Sequence, residues 1–406
     1  MPILKNISTL YRCPDEGGQS ELYSVTDSAL IWEGDRIVWV GKEEAIPETY
    51  NEEPVLDAGG SIVIPGLIDC HTHLAFGGWR SREFEMRLRG KSYLEIARSG
   101  GGILSTVQET RRASEDELFE KSLALLNKIS QSGVTTLECK SGYGLSVDDE
   151  LKLLRVYNRL REATPVRIVS TFLGAHTIPS EYADNRKRYI DLVIYKMIPA
   201  VADQKLATFC DVFVEKSAFT VDEARAIFKA GMNHGLKPKL HADQLSSGGG
   251  AELAAEIGAI SADHLEQISD IGIQKMAESN VVGVTLPTAS LYTRQPYLNC
   301  RKLVDNGVNV AIATDFNPGS APSFDLELAM MLSCNHGMLT PNECLKGVTI
   351  NAAKALDLQS DIGSLEVGKK ADFILLDSPD INFWIYHYKG NHIKSIFKGG
   401  ERVRIV

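Results

Sequence analysis

Residues 62–73 read Ile-Val-Ile-Pro-Gly-Leu-Ile-Asp-Cys-His-Thr-His, an apolar run that ends in two histidines separated by one residue. Side chains alternate between the two sides of an extended strand, so His71 and His73 face the same way if the strand continues through them. Two neutral imidazoles on one face at a strand end form half of a metal site. The pair alone fits a surface or turn position equally well, so its meaning depends on the rest of the chain.

Composition narrows the class of protein. The chain has 406 residues, of which 44% are hydrophobic and 24% are charged, as is typical of a globular protein with a large core. The formal net charge is -10 and no basic tract stands out, so we expect neither nucleic acid nor a membrane surface as a partner. We find no signal peptide and no apolar run long enough to span a bilayer. Seven scattered cysteines without a Cys-x-x-Cys pair indicate reduced thiols and predict a cytoplasmic location.

The middle of the chain alternates strand patterns with helical patterns. Seven further strand candidates follow the one that ends at His73, at residues 134–138, 167–173, 211–215, 237–241, 258–264, 281–287 and 308–315. Repeated strand–helix alternation predicts an α/β protein with a parallel sheet, and eight such units favour closure into a (β/α)8 TIM-like barrel. An open, doubly wound sheet is the structural alternative.

Both ends of the chain have a different character. Residues 29–41 and 393–403 each have the pattern of a hairpin, and residues 363–377 read as turns followed by a buried strand. We therefore expect residues 1–62 and 363–406 to build one small sheet domain beside a barrel of residues 63–362. Two unrelated β-rich extensions are the alternative.

Catalytic groups of a barrel collect where its strands end. His71, His73, His241 and Asp315 lie at such ends and form a candidate ligand set. Three imidazoles and one carboxylate suit one Zn²⁺ or Fe²⁺ ion, with a position left for a water whose pKa the metal lowers. Asp315 can also accept the proton of that water, and His264 can stabilise a developing oxyanion. A turn residue at Asp315 and a core histidine at His264 are the structural alternatives.

The ligand set, together with His264, resembles the amidohydrolase superfamily of metal-dependent barrel hydrolases. Longer segments resemble one family within it, the imidazolonepropionases, at residues 76–80, 93–96, 99–103, 140–145, 171–176 and 315–320. The resemblance covers essentially the whole chain, and its combined motifs are far more specific than the histidine pair. It implies that the β-rich termini form a composite β-sandwich domain, and it implies a homodimer.

The resemblance also implies a reaction and a set of substrate contacts. The reaction is hydrolysis of the cyclic amide C–N bond of 4-imidazolone-5-propanoate, which gives N-formimidoyl-L-glutamate during histidine degradation. Arg80 is expected to bind the propanoate, since a guanidinium grips a carboxylate with two hydrogen bonds. The full set of expected substrate-binding residues is Arg80, Tyr93, Tyr143, His176, Gln244, His264, Asn317, Gly319 and Ser320.

Two positions keep alternatives open. Gln244 stands where related deaminases and some family members have Glu, and a neutral amide cannot shuttle protons. Proton transfer therefore falls to Asp315 and His264, and an aminohydrolase of a purine or pyrimidine-like heterocycle is the less favoured enzyme. Lys216 lies near the strand at which binuclear relatives carry a carboxylated lysine, so a second metal is not excluded, although one metal is favoured. A catalytically silent scaffold is disfavoured because all four ligands are present.

Overall fold

The computed structural model describes residues 1–91, 95 and 101–403. The chain begins in a sheet whose first strands are β1 (Ile3–Tyr11), β2 (Ser24–Glu33), β3 (Arg36–Lys42), β4 (Val55–Asp57) and β5 (Ile62–Pro65). β1 pairs antiparallel with β2 and parallel with β4 and β5, and β2 and β3 form the predicted hairpin. The apolar start of the 62–73 stretch therefore belongs to this sheet, and its histidine end belongs to the next one.

Eight parallel strands then follow one another around a barrel. They are β6 (Leu67–Asp69), β7 (Val134–Lys140), β8 (Arg167–Ala175), β9 (Phe209–Val214), β10 (Lys237–Ala242), β11 (Ser261–His264), β12 (Val282–Thr285) and β13 (Val310–Ile312). Each strand pairs with its neighbour in chain order. The segments after β13 and β6 complete the ring, since the His73 N–H donates to the Phe316 carbonyl at 2.8 Å and the Asp315 N–H to the His71 carbonyl at 3.1 Å. The predicted (β/α)8 barrel is confirmed.

Helices lie in the connections between the barrel strands, after the last barrel strand, and between the last strands of the first sheet. They are α1 (Ser81–Leu88), α2 (Ile103–Arg112), α3 (Glu115–Gln131), α4 (Val147–Ala163), α5 (Arg186–Leu192), α6 (Ile198–Asp203), α7 (Val221–Asn233), α8 (Gly250–Ile257), α9 (Asp270–Glu278), α10 (Pro287–Thr293), α11 (Cys300–Asp305), α12 (Leu326–Asn335), α13 (Pro341–Gly347), α14 (Ile350–Lys354) and α15 (Ile381–Tyr386). A π-helical turn, Val193–Met197, joins α5 to α6, and short 3₁₀ turns occupy Glu43–Ala45, Glu48–Tyr50 and Ser180–Tyr182. Within the described part of the chain, no helix has both the length and the hydropathy of a membrane span.

The last strands return to the first sheet. β14 (Phe373–Leu376), β15 (Ile393–Lys398) and β16 (Glu401–Val403) form an antiparallel set, and β14 pairs antiparallel with β5. Both termini therefore share one sheet, as predicted. The exact bounds 1–62, 63–362 and 363–406 remain a prediction; β5 lies across the first of them.

Candidate metal centre and active-site cavity

The four predicted ligands meet at the carboxyl end of the barrel. His71 and His73 follow β6, His241 lies in β10 and Asp315 follows β13. The Nε2 atoms of His71 and His73 lie 3.5 and 3.7 Å from the same Oδ1 atom of Asp315. The rings of His71 and His241 are 4.6 Å apart between centroids, and all four side chains are buried. The structure therefore brings together donor groups that are up to 244 residues apart in the chain.

The chemistry of these groups fits a divalent cation. The donor atoms of His71, His73 and Asp315 lie within 4.8 Å of one another, as do those of His71, His241 and His264. The His71 Nε2 atom is buried and has no hydrogen-bond partner. Burial, followed by neighbouring positive groups, holds the pKa of His71 and His73 well below the ordinary value, while burial raises that of Asp315 to about 6. A metal ion binds neutral imidazoles, and it would supply the positive partner that a buried carboxylate needs.

His264 and Asp315 have unusual backbones. Their φ angles are 81° and 54°, in the left-handed region that side chains other than glycine rarely adopt. Each such residue costs on the order of 1–3 kcal/mol and persists where the surroundings enforce it, often at functional sites. The His264 ring lies 5.3 Å from that of His241, and its Nδ1 atom lies 3.5 Å from Glu266 Oε1. The predicted catalytic pair is thus held at the cation site by its backbone.

Buried carboxylates orient two of the ligand histidines. The Nδ1–H of His71 donates to Asp263 Oδ2 at 2.6 Å, and the Nδ1–H of His241 donates to Asp211, whose Oδ2 lies 3.0 Å away. An Nδ1–H donor leaves the Nε2 lone pair for a metal. Sequence reasoning missed Asp211 and Asp263. The available signal was the occurrence of charged residues inside apolar strands that the barrel buries on both faces.

A cavity of about 730 Å³ opens over the ligands. Its walls include most of the predicted substrate-binding residues: Arg80, Tyr143, His176, Gln244, His264, Asn317 and Ser320. The predicted contact Tyr93 lies outside the described residues. Lys216, the candidate for a carboxylated lysine, has an exposed side chain and does not line this cavity.

Arg80 is fixed against the cavity wall by two neighbours. Its Nε–H donates to Glu83 Oε2 at 3.0 Å, and Glu83 also accepts the Gly102 N–H at 2.8 Å. On its other side the guanidinium lies against Gly319, where a Cβ atom would come within 2.1 Å of Arg80 Cζ. A side chain at position 319 would therefore displace the Arg80 guanidinium from this place.

Tyr143 is presented by a loop that a buried carboxylate organises. Glu150, in α4, accepts the backbone N–H groups of Gly142, Gly144 and Leu145 at 3.0, 2.8 and 2.8 Å. The same loop anchors His176, whose Nδ1–H donates to the Gly142 carbonyl at 2.9 Å. Burial and the nearby His241 lower the pKa of His176 to about 3, so its ring is neutral and its Nε2 atom is an acceptor.

Asn317 shapes the loop that follows Asp315. Its Oδ1 atom accepts the N–H groups of Gly319 and Ser320, both at 2.8 Å. Its Nδ2 atom donates to the Asp315 carbonyl at 2.7 Å and to Ser320 Oγ at 2.9 Å. The amide is therefore engaged within its own loop and sets the positions of Asp315 and Ser320; a direct contact with substrate remains a prediction.

Comparison with known proteins defines the class of this chain. Residues 62–403 match the amidohydrolase family, and the chain belongs to it. The fold is also similar to those of atrazine chlorohydrolase TrzN from Arthrobacter aurescens TC1, solved with zinc, and guanine deaminase from E. coli. The TM-scores are 0.74 and 0.72, at 16% and 15% identity, covering 99% and 100% of this chain and 95% and 99% of those chains. At such identities the likeness concerns the fold alone.

Closer relatives give the particular family. The chain is 48% identical over 375 residues to an imidazolonepropionase from Fusobacterium nucleatum, covering 92% of this chain and 91% of the relative. It is 47% identical over 395 residues to an imidazolonepropionase from Brevibacillus brevis, covering 96% and 93%. Within the amidohydrolases, this chain belongs to the imidazolonepropionase family, as its motifs predicted.

Proposed function

We propose that the protein hydrolyses 4-imidazolone-5-propanoate to N-formimidoyl-L-glutamate in the degradation of histidine. The observation that carries the proposal is that His71, His73, His241 and Asp315 lie beside one another at the carboxyl end of the barrel, beneath a cavity lined by Arg80. Membership of the imidazolonepropionase family supports this choice of substrate.

The site is proposed to hold one divalent metal ion through His71, His73, His241 and Asp315. Imidazole and carboxylate ligands suit both Zn²⁺ and Fe²⁺, so the donor set supports either ion. When bound, such an ion supplies Lewis acidity, which polarises a carbonyl group and lowers the pKa of water. The buried, unpaired Nε2 atom of His71 supports this assignment.

Two side chains are proposed to act on the reacting atoms, Asp315 in proton transfer and His264 in stabilising negative charge. Asp315 lies among the imidazoles, with its Oδ1 atom 3.5 and 3.7 Å from the Nε2 atoms of His71 and His73, so its carboxylate is close enough to accept the proton of the attacking water. It then returns a proton to the ring nitrogen as the C–N bond breaks. His264 faces the same point and donates a hydrogen bond to the carbonyl oxygen as that oxygen gains negative charge.

Other residues orient the substrate over the ligands. Arg80 binds the propanoate carboxylate, and Tyr143 and His176 form the wall beside His73, with ring centroids 5.6 and 5.3 Å from it. Gln244 offers an amide to the polar edge of the imidazolone ring. The loop that Asn317 organises, with Ser320, faces the end of the ring that becomes the new carboxylate.

Identification of the product tests this function against the deaminase alternative. We expect mass spectrometry and proton NMR to show that imidazolonepropanoate gains one water and releases no ammonia. Release of ammonia from a purine or pyrimidine, without turnover of imidazolonepropanoate, would instead establish an aminohydrolase. Gln244 argues against that outcome, because its amide cannot move a proton.

The cytoplasmic location and the homodimer belong to the same proposal. Seven cysteines without a Cys-x-x-Cys pair support a reducing compartment. Sedimentation equilibrium tests the assembly, for which we expect a particle of twice the 44.6 kDa chain mass. A particle of the chain mass alone would reject the dimer without affecting the proposed reaction.

A further inference from the structure

Five charged side chains lie beneath the predicted ligands, inside the barrel, and each is 0% exposed. They belong to strands β7, β9, β10 and β11 and are Glu138, Lys140, Asp211, Lys239 and Asp263. Burial of charge is costly, and replacing a buried ion pair by apolar residues is often neutral or stabilising. Stability alone therefore gives a poor account of why charges occupy this layer.

Lys140 is the centre of the set. Its Nζ atom lies 2.8 Å from Asp211 Oδ2, 3.0 Å from Glu138 Oε1 and 3.4 Å from Asp263 Oδ2. An ammonium group has three N–H donors, one for each carboxylate. Burial would lower the pKa of Lys140, but the three carboxylates outweigh it and raise that pKa, so the side chain stays charged.

Two of these carboxylates are the partners of ligand histidines. Asp263 Oδ2 lies near Lys140 and accepts the Nδ1–H of His71, and Asp211 lies between Lys140 and His241 in the same way. Each carboxylate is thus held from below by the ammonium while it holds an imidazole above. Lys140 is thus linked to two of the three predicted histidine ligands, to His71 through Asp263 and to His241 through Asp211.

The ammonium also occupies a place where a second cation could be expected. His71, Glu138 and Asp263 form a further group whose donor atoms lie within 4.8 Å of one another, and two of its members contact Lys140 Nζ. We propose that Lys140 is a positioning residue whose ammonium takes the place of a second metal ion. By holding Asp211 and Asp263, it fixes the Nδ1–H tautomers of His241 and His71 and leaves both Nε2 atoms for a single ion. This inference rests on the metal site of the proposed function.

The direction in which metal affinity changes when the Lys140 charge is removed distinguishes a positioning role from a purely electrostatic one. Removal of a positive charge near a cation site strengthens cation binding if Coulomb energy alone matters. If Lys140 acts by orienting the carboxylates, its removal weakens binding instead. Loss of a partner outside the ligand shell typically costs 10- to 100-fold in metal affinity.

The experiment compares Lys140→Met with Lys239→Met by competition for Zn²⁺ with a chelator. Lys239 is equally buried and its charge also acts on Asp263, but its ammonium lies 3.3 Å from Glu138 and donates to the Ala355 and Cys70 carbonyls at 3.0 and 3.4 Å. Unlike Lys140, it forms no ion pair with Asp211 or Asp263 within contact distance, so it tests charge without direct positioning. We expect one Zn²⁺ per wild-type chain, a Kd at least about tenfold higher in Lys140→Met, and a change below about threefold in Lys239→Met. An unchanged or lower Kd in Lys140→Met, an equal loss in both variants, or two ions per wild-type chain would overturn the proposal.

A second measurement keeps the proposal testable if Lys140→Met does not fold. In the zinc-loaded wild-type protein labelled with ¹⁵N-histidine, we expect protonated Nδ1 and unprotonated Nε2 atoms for His71 and His241. Signals are assigned from His71→Gln and His241→Gln, and a protonated Nε2 in either ring contradicts the inference. Neither readout uses turnover, so a protein that binds zinc in this way but leaves imidazolonepropanoate intact would reject the proposed function only.

Discussion

The proposed ligand histidines differ from the surface histidines in burial and in their hydrogen-bond partners. His241 is 3% exposed and donates to a buried carboxylate, whereas His234, at the end of α7, is exposed and bonds the Ala230 carbonyl. The two residues are the same chemical group in two environments. They therefore form a matched pair for a test of the metal centre.

Replacement of His241 by Ala removes one of the four proposed ligands. We expect a loss of metal affinity and of kcat/KM that exceeds about a hundredfold, since even partners outside the ligand shell are worth 10- to 100-fold. Metal content after dialysis and initial rates measure the two effects, with His234→Ala as the control. Retention of metal and activity by His241→Ala would remove His241 from the ligand set.

Arg80→Met tests the proposed contact with the propanoate. A charge-assisted hydrogen bond contributes about 1.5–3 kcal/mol, so we expect KM to rise on the order of 10- to 100-fold with a smaller change in kcat. Arg89→Met is the control, because Arg89 pairs with Glu85 at the exposed end of α1. Equal kinetic constants for Arg80→Met and wild type would place the carboxylate elsewhere.

Candidate site residues are predictable from the sequence where they stand at strand ends. The sequence alone shows the spacing of the first histidine pair, His71 and His73. It also shows that His241, His264 and Asp315 follow apolar strand patterns. The partners of these residues are not predictable in this way, because Asp211 reaches His241 only when β9 and β10 pair, and Asp263 reaches His71 only when the barrel brings together residues 192 positions apart. The same holds for the contact between Gly319 and Arg80, which are more than 200 residues apart.

At the scale of elements, loops at the carboxyl end of the barrel are organised by polar side chains from the adjacent helix or turn. Glu150 binds three backbone N–H groups of the loop that carries Tyr143. Capping boxes begin α3 and α7 at Ser114 and Thr220, where the side chain of each cap accepts a backbone N–H of the first turn.

Glu150→Gln tests the organisation of the Tyr143 loop. A glutamine places an NH₂ group where one carboxylate oxygen accepted N–H donors, so we expect a loss of about 1–3 kcal/mol in unfolding free energy and a higher KM. Denaturant unfolding and steady-state kinetics measure both quantities. Asp148→Asn, an exposed carboxylate in the first turn of the same helix, is the control; an equal effect there would assign the loss to the helix terminus.

Two strands are shorter than their predicted ranges. The apolar pattern at residues 258–264 and 308–315 is longer than the paired strands Ser261–His264 and Val310–Ile312. Gly258 ends α8 in a left-handed conformation, and the residues after Ile312 leave the ladder to place Asp315. Apolar residues thus mark burial, while pairing depends on where neighbouring strands begin and end.

At the scale of the whole molecule, the sheet of the two termini supports the strand that leads to the ligands. β5 pairs with β1 and β14, and residues 66–73 follow it directly into the barrel and the proposed metal site. Trp32, Phe373 and Phe397 pack beneath this sheet with ring centroids 4.5–5.9 Å apart. That the two ends would join was predictable from their shared β pattern, but the order of the strands was not, because no local pattern encodes it.

Phe373→Ala tests this support. Truncation of a buried phenylalanine costs about 3–5 kcal/mol, so we expect a marked loss in unfolding free energy, measured with denaturant. Metal content per folded chain should be unchanged, because Phe373 lies in the sheet of the termini and not among the ligands. Phe383→Ala is the control, since that ring is 39% exposed; a loss of equal size there would contradict the assigned core.

The most direct test of the account is the loss of ultraviolet absorbance of freshly generated 4-imidazolone-5-propanoate. It is followed under anaerobic conditions with metal-loaded protein, with chelated protein, and after Zn²⁺ or Fe²⁺ is restored. We expect rapid loss of absorbance with metal, only the spontaneous rate after chelation, and recovery with at least one of the two ions. No acceleration by fully metal-loaded protein would contradict the proposed reaction, and undiminished turnover by metal-free protein would contradict the proposed role of the ligand site.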